Sequence, residues 1–297
     1  MKKETLTTRI VFILFRAIPL EIRRALFKAL MILFYQFSEK NRLIVLYNLA
    51  RAFPEKDIPE ITKIARDCYK NLGIVAAEFF DILSMTKENL SDWIEFEGRD
   101  VYRKAHEQNK GILFFTGHFG NWEIAAAAFA LLCQPVNIVY RSLDNSLLRD
   151  IVDRVRSHTG NKLIPKGGAA RKIIPLLSRN ENIGILVDQN VSWREGVFVD
   201  FFGRPASTTT GLAALALQTG APVLPGFIFR MENGKYRFII GPEVEISRTG
   251  DYERDILENT QKFTTIVENY VRAYPEQWFW LHQRWKTKRS QIRAKKP

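Results

Sequence analysis

The sequence predicts an α/β fold, with a mainly parallel central sheet flanked by helices and an N-terminal helical membrane-associating segment. Three observations predict it. From Gly111 onward, short apolar runs alternate with helical stretches, the rhythm of parallel strands joined by crossover helices. Before Gly111 lie helical patterns, and the first of them mixes cations with large apolar residues. No Ser/Gly-rich linker, repeat or low-complexity tract divides the 297 residues, so residues 41–297 read as one domain with residues 1–40 as an appendage.

Within residues 1–30 of that appendage Lys2, Lys3, Arg9, Arg16, Arg23, Arg24 and Lys28 stand against only Glu4 and Glu21. They interleave with apolar residues such as Ile10, Phe12, Leu14, Leu20, Leu26 and Phe27. A signal peptide does not fit, because Arg16 and Pro19 break the apolar core and no small-residue cleavage site follows. A spanning helix needs roughly 20 mostly apolar residues. The longest charge-free run here, Ala29 to Ser38, falls well short. A cationic, aromatic-rich, broken segment suits a helix pair lying in the membrane interface; packing of those helices on the body of the domain is the alternative.

Helical patterns at Arg42–Ala52 and Ile58–Asp81 follow, separated by Phe53-Pro54. The strand candidates are Ile112–Phe115, Val136–Tyr140, Lys162–Ile164, Ile183–Val187 and Val223–Phe229. Helical patterns at Asn121–Leu132, Asn145–His158, Ala169–Leu177 and Leu212–Gln218 fall between them. In the second of these, Leu147, Leu148, Ile151, Val152 and Val155 form one stripe, and Gly160 stops it. Asn233-Gly234 turns a hairpin onto Tyr236–Ile240, read as an antiparallel edge strand. A last long helix runs from Tyr252 to Ala273 and stops at Pro275.

The stretch Thr116 to Glu123 carries the chemistry. It sets His118 and Glu123 five positions apart where the first strand gives way to a helix. In one continuous helix such a pair would face different ways. Gly117 and Gly120 make the backbone permissive, Asn121 reads as an N-cap, and His118 sits on a tight loop able to fold back toward Glu123. Imidazole can take a proton from a hydroxyl while a carboxylate holds its tautomer. Alone, the pair fits a helix-capping acid and a packed turn histidine at least as well. The zinc signature HExxH is absent. What favours a site is position: His118 follows the first strand, Arg141 the second, and Asp188-Gln189 the fourth. Open α/β sheets bind ligands at those carboxyl ends.

The chain is basic, 44 Lys+Arg against 32 Asp+Glu for a net +12, and the tail after Glu276 holds Arg284, Lys286, Lys288, Arg289, Arg293, Lys295 and Lys296 without an acid. A basic face serves nucleic acid, anionic lipid or an acidic protein partner, or simply keeps a tail solvated. Cys68 and Cys133 are too few for a disulfide framework, so a reducing, cytoplasm-facing location is expected.

Gly117 to Glu123 resembles the H-x4-[DE] signature of glycerolipid-type acyltransferases, and its Asn-Trp-Glu form resembles that of the lipid A biosynthesis (late) acyltransferases. Three more blocks agree in order: Tyr140-Arg141 with Asn145 and Arg149; Asp188-Gln189 with Phe201 to Thr208; and Pro275 to Trp278 through His282, Arg284, Trp285 and Lys286. The resemblance covers residues 110–290 and implies transfer of a fatty acyl group from acyl carrier protein to a hydroxyl of a lipid A precursor, of the Kdo2-lipid IVA kind. His118 is then the general base and Glu123 its orienter, with neither metal nor cofactor required. Arg141, Asn145, Arg149, Asp188, Gln189 and Arg284 are the candidate substrate contacts. Arg141 or the loop and helix N–H groups are nominated for the oxyanion, and His282 is a rival base lacking a nearby acid. The resemblance also implies an enzyme at the cytoplasmic face of the bacterial inner membrane, partnered by an anionic membrane surface and not by nucleic acid. An acyl-CoA-dependent transferase acting on another glycolipid or phospholipid, such as a phosphatidylinositol mannoside, is the alternative.

Overall fold

The computed structural model describes Phe12, Phe15 and residues 17–293. Most of the cationic segment before Leu20, together with Lys295 and Lys296, lies outside the described residues. Helices α1 (Leu20–Phe37), α2 (Glu39–Ala52) and α3 (Ile58–Glu78) come first. Strand β1 (Ile94–Glu97) and helix α4 (Arg99–His106) follow, unforeseen from the pattern. The alternating core is β2 (Ile112–Thr116), α5 (Trp122–Leu132), β3 (Val136–Tyr140), α6 (Ser146–Ser157), β4 (Lys162–Pro165), α7 (Ala169–Leu177) and β5 (Asn182–Leu186). A hairpin, β6 (Gly196–Phe201) and β7 (Arg204–Thr209), leads through α8 (Gly211–Thr219) to β8 (Val223–Arg230), β9 (Tyr236–Ile240) and α9 (Tyr252–Ala273).

Seven strands form one sheet in the order β1-β9-β8-β2-β5-β3-β4. Every pairing is parallel except β8 with β9, where Gly226 opposes Ile240 and Arg230 opposes Tyr236. The expected antiparallel strand is therefore present, but it is not an edge. β1 covers it in parallel, pairing Ile94 with Tyr236. Alternation sends Phe114 and Ile138 into a core with α4, α5 and α6. It sends Leu113, Phe115 and Ile183 into a second core with α2, α3, α7, α8 and α9. Cys68 and Cys133 are both free thiols.

Helix α1 packs on the domain body, the alternative weighed for the N-terminal segment. It approaches α3 at Gly73, where a Cβ would stand 2.7 Å from the Phe27 carbonyl oxygen. Arg23 is buried and donates to the Ala77 carbonyl at 2.8 Å and to Asp81 Oδ1 at 2.7 Å. The opposite side of α1 exposes Ile22, Leu26, Leu30, Leu33 and Phe37. Among the described residues, no helix is long and apolar enough to cross a membrane.

Glu78, at the end of α3, is fully buried and ties these layers together. Its carboxylate accepts from Arg24 Nη2 at 2.6 Å, Arg230 Nη1 at 3.0 Å, the Tyr236 hydroxyl at 2.6 Å and Asn121 Nδ2 at 3.0 Å. Cutting a buried ion pair strands the remaining charge, at a cost of about 3–5 kcal/mol. Glu78→Ala is expected to lower unfolding free energy by about that amount in urea titration. A loss below about 1 kcal/mol would show that the arginines are compensated by other groups.

Candidate active site

The loop after β2 is shaped by two close approaches. Gly120 has φ +57°, and a Cβ there would lie 1.9 Å from the Ile228 carbonyl oxygen. At Gly117 a Cβ would lie 3.1 Å from Asp188 Oδ2. Asn121 caps α5, accepting the Ile124 N–H at 3.2 Å. The C-terminal block clamps the same loop from above: Gly120 N–H donates to the Gln277 carbonyl at 2.9 Å, and Phe279 N–H to the His118 carbonyl at 3.0 Å.

His118 leaves the end of β2 and Asp188 follows β5, the neighbouring strand, which brings the two side chains together. His118 Nδ1 lies 2.8 Å from Asp188 Oδ1. Asp188 Oδ2 accepts the His118 backbone N–H at 2.7 Å and the Trp278 indole N–H at 2.7 Å. Burial pushes the Asp188 carboxyl up, yet the His118 charge and these donors outweigh it and hold it at about 2. An ionised Asp188 obliges Nδ1 to donate, so the lone pair of His118 sits on Nε2. The Gln189 carboxamide nitrogen lies 3.3 Å from that atom. Trp122 and Phe279 flank the ring, with centroids 5.3 and 6.1 Å away.

Glu123 does not orient His118. Its carboxylate receives Arg156 Nε at 2.8 Å and Nη2 at 2.6 Å, with the Trp122 indole N–H at 3.0 Å. A bidentate guanidinium holds it in a fixed direction across the cavity wall. Arg156, on α6, escaped sequence reasoning; its signal is its place four residues after Val152, beside the apolar stripe. Trp278 was equally hidden, although a buried indole N–H needs an acceptor.

The other expected contacts divide. Arg141 is exposed at the cavity rim, 3.9 Å from Asp144. Arg149 donates to the Leu143 carbonyl at 3.3 Å and steadies that loop. Asn145, read as a substrate contact, is the N-cap of α6 and accepts the Leu148 N–H at 3.0 Å. Arg284 is fully buried, donating to the Ser207 carbonyl at 2.9 Å and Thr208 Oγ1 at 2.5 Å, and does not line the cavity, which corrects its reading as a substrate contact. Burial pulls its guanidinium down to about 10, against the attraction of Asp188. Trp278, Trp280 and Trp285 are buried in the core.

A cavity of about 730 Å³ opens at His118, Trp122, Glu123 and Gln189, with a largely apolar lining. A histidine whose Nε2 lone pair meets the Gln189 carboxamide at the cavity mouth, backed by an ionised carboxylate, can deprotonate a hydroxyl that takes that place. The family model described as bacterial lipid A biosynthesis acyltransferase matches residues 5–287. The chain belongs to that family. As a lipid A biosynthesis acyltransferase by family, it is an O-acyltransferase. It is 27% identical over 254 residues to the lipid A biosynthesis palmitoleoyltransferase of Escherichia coli (strain K12), covering 85% of this chain and 81% of that one. It is 29% identical over 255 residues to the lauroyltransferase of the same organism, with the same coverage of 85% and 81%. The phosphatidylinositol mannoside acyltransferase of Mycolicibacterium smegmatis is 26% identical over 245 residues, 80% of this chain and 77% of that one.

His282, the rival base, is not among the residues lining the cavity, and burial lowers it from 6.5 to about 4, which weakens it as a base. Between those values the unfolded chain takes up a proton at His282 that the folded chain refuses, so stability falls as pH drops through the window. His282→Gln is expected to flatten the wild-type loss of unfolding free energy between pH 6.5 and 4, followed by urea titration at several pH values. An unchanged slope would place the acid sensitivity elsewhere.

Proposed function

We propose that the protein transfers a fatty acyl group from acyl carrier protein to a hydroxyl of a lipid A precursor, with His118 as general base and Asp188 as its positioning carboxylate. One observation carries this reading: the His118–Asp188 pair, 2.8 Å apart, stands at the mouth of an apolar cavity. The cavity suits a fatty chain, and its mouth is where the thioester carbonyl and the hydroxyl meet. Nε2 removes the hydroxyl proton as its oxygen attacks the carbonyl carbon. The tetrahedral intermediate then collapses, the C–S bond breaks, and the departing thiolate takes the proton back from the imidazolium. Asp188 stabilises the imidazolium between the two transfers. Arg141 at the rim and the N–H groups at the α5 N-terminus are the donors proposed for the oxyanion. Glu123 fixes Arg156 at the cavity wall.

The net charge of +12 favours an acidic carrier protein as donor. Residues 1–40 are the proposed membrane-associating segment, supported by the exposed apolar stripe of α1 and by the cations before it. The proposed location is an anionic membrane surface, at the cytoplasmic face of the inner membrane. A second reading, an acyl-CoA-dependent transferase, has a specific observation in its favour for the acceptor: the likeness to a phosphatidylinositol mannoside acyltransferase allows another glycolipid in that place.

Purified protein assayed with both thioesters and both acceptors separates the readings, and turnover with coenzyme A alone favours the second. General-base help is typically worth about 10²–10⁴-fold. His118→Ala and Asp188→Asn should each lose kcat in about that range while remaining folded. Unimpaired turnover of His118→Ala refutes the mechanism. A larger kcat loss in Glu123→Gln than in Asp188→Asn would return the orienting role to Glu123.

A further inference from the structure

The cations of the C-terminal block have no part in the proton transfer. Lys286, Lys288 and Arg289 are all exposed, and among the described residues no carboxylate forms an ion pair with any of them. Lys286 and Lys288 border a groove of about 400 Å³ between this block and α2. Its floor is apolar: Leu43, Ile44 and Tyr47 line it from α2, and Leu43 and Tyr47 are exposed. Hydrogen-bond donors without acceptors lie along it. Trp285 lines the groove and is buried, and its indole N–H meets no acceptor among the described residues. Arg51 donates through Nη1 to the Tyr47 hydroxyl at 2.8 Å, while its Nε is buried without a partner among the described residues. Lys40, Arg42 and Arg51 on α2 stand against Glu39 alone.

The groove stands beside the cavity. Thr287, between the two lysines, accepts from Asn190 Nδ2 at 3.0 Å and donates its backbone N–H to Asn190 Oδ1 at 3.1 Å. Asn190 lines the cavity, next in sequence to Gln189. A partner seated in the groove is therefore held close to the site where the thioester reacts. Shape decides which partner. A bilayer is flat at this scale and receives convex elements, such as the exposed stripe of α1. A concave slot with an apolar floor receives a ridge, ordinarily one side of a helix. The cations at its edge call for acids on that ridge. The chain's own tail, with Arg293, Lys295 and Lys296, has the wrong sign, and a second copy at net +12 is repelled.

We propose that this groove is the docking surface for the acidic protein that delivers the acyl group. That protein lays one side of a helix across Leu43 and Tyr47 and sets carboxylates against Lys286, Lys288 and Arg289. This rests on the carrier-protein reading above. A donor carried on a protein needs a hold beside the cavity, because only the thioester arm enters and the protein itself stays outside. Coenzyme A has no helix to offer and leaves the groove empty.

Lys286→Glu combined with Lys288→Glu reverses the edge, and Leu43→Asp puts a repelling charge on the floor. All three side chains are exposed, and thermal unfolding checks the fold. Steady-state kinetics compare acyl carrier protein with the acyl thioester of pantetheine, which has no protein part. The ratio of their KM values, carrier over pantetheine thioester, should rise about tenfold or more in both variants. Lys286→Arg combined with Lys288→Arg should keep the wild-type ratio. Wild-type kcat/KM for the carrier should fall with added salt, more steeply than in the protein with both lysines reversed. An unchanged ratio overturns the inference. If the reversal instead abolishes sedimentation with phosphatidylglycerol vesicles, the groove belongs to the bilayer. If a wild-type dimer is split by Leu43→Asp, it belongs to a second copy. Wild type that uses coenzyme A and pantetheine thioesters but not the carrier overturns the donor reading as well. Wild type that transfers from no thioester overturns acyl transfer itself.

Discussion

A single buried carboxylate, Asp188, organises the site. Its two oxygens accept from the His118 ring, the His118 backbone and the Trp278 indole, groups 70 and 90 residues away in sequence. A carboxylate in that position would be costly if unpaired, and three donors remove the penalty while fixing direction. The histidine tautomer, the path of the loop after β2 and the seat of the C-terminal block all follow from one ionised group. Gly117 belongs to the same arrangement, because a side chain there would press on Oδ2.

Three acids surround this loop and are sorted by their cations. Glu78 takes Arg24 and Arg230, and through Asn121 holds the start of α5. Glu123 takes Arg156. Among the described residues no guanidinium contacts Asp188 directly, and the histidine is its charge partner, with Arg284 acting on it at longer range. That distinction separates an acid that supports proton transfer from acids that hold layers together. Glu123 has the right residue type and spacing, yet an arginine claims it first.

The sequence was legible where physics is local. Strands β2 to β5 and β8, the helices between them and the last long helix follow from periodicity and turn residues. The caps Asn121 and Asn145 obey the same short-range rules, although the family block drew Asn145 toward substrate. The β6–β7 hairpin escaped because its two-residue turn puts Phe202 at φ 57° beside Gly203 at 68°, and phenylalanine is not a turn signal. β1 was invisible because its reason to exist is the open flank of β9. The carboxylate that meets His118 was undetermined for the same cause: Glu123 is near in sequence, whereas Asp188 is near only once β5 inserts beside β2.

The short bridge between Phe119 and Trp278 has a consequence for how the enzyme comes into being. The nascent chain emerges from its N-terminal end, so His118 is synthesised long before the tryptophan that seats its carboxylate. Contacts of such separation close late and slowly, because the intervening loop entropy is lost before the contacts form. Until that block docks, Asp188 lacks the Trp278 indole N–H and the loop after β2 lacks its clamp at Gln277 and Phe279. The His118–Asp188 pair therefore has its full set of hydrogen bonds only once residues 275–279 are seated.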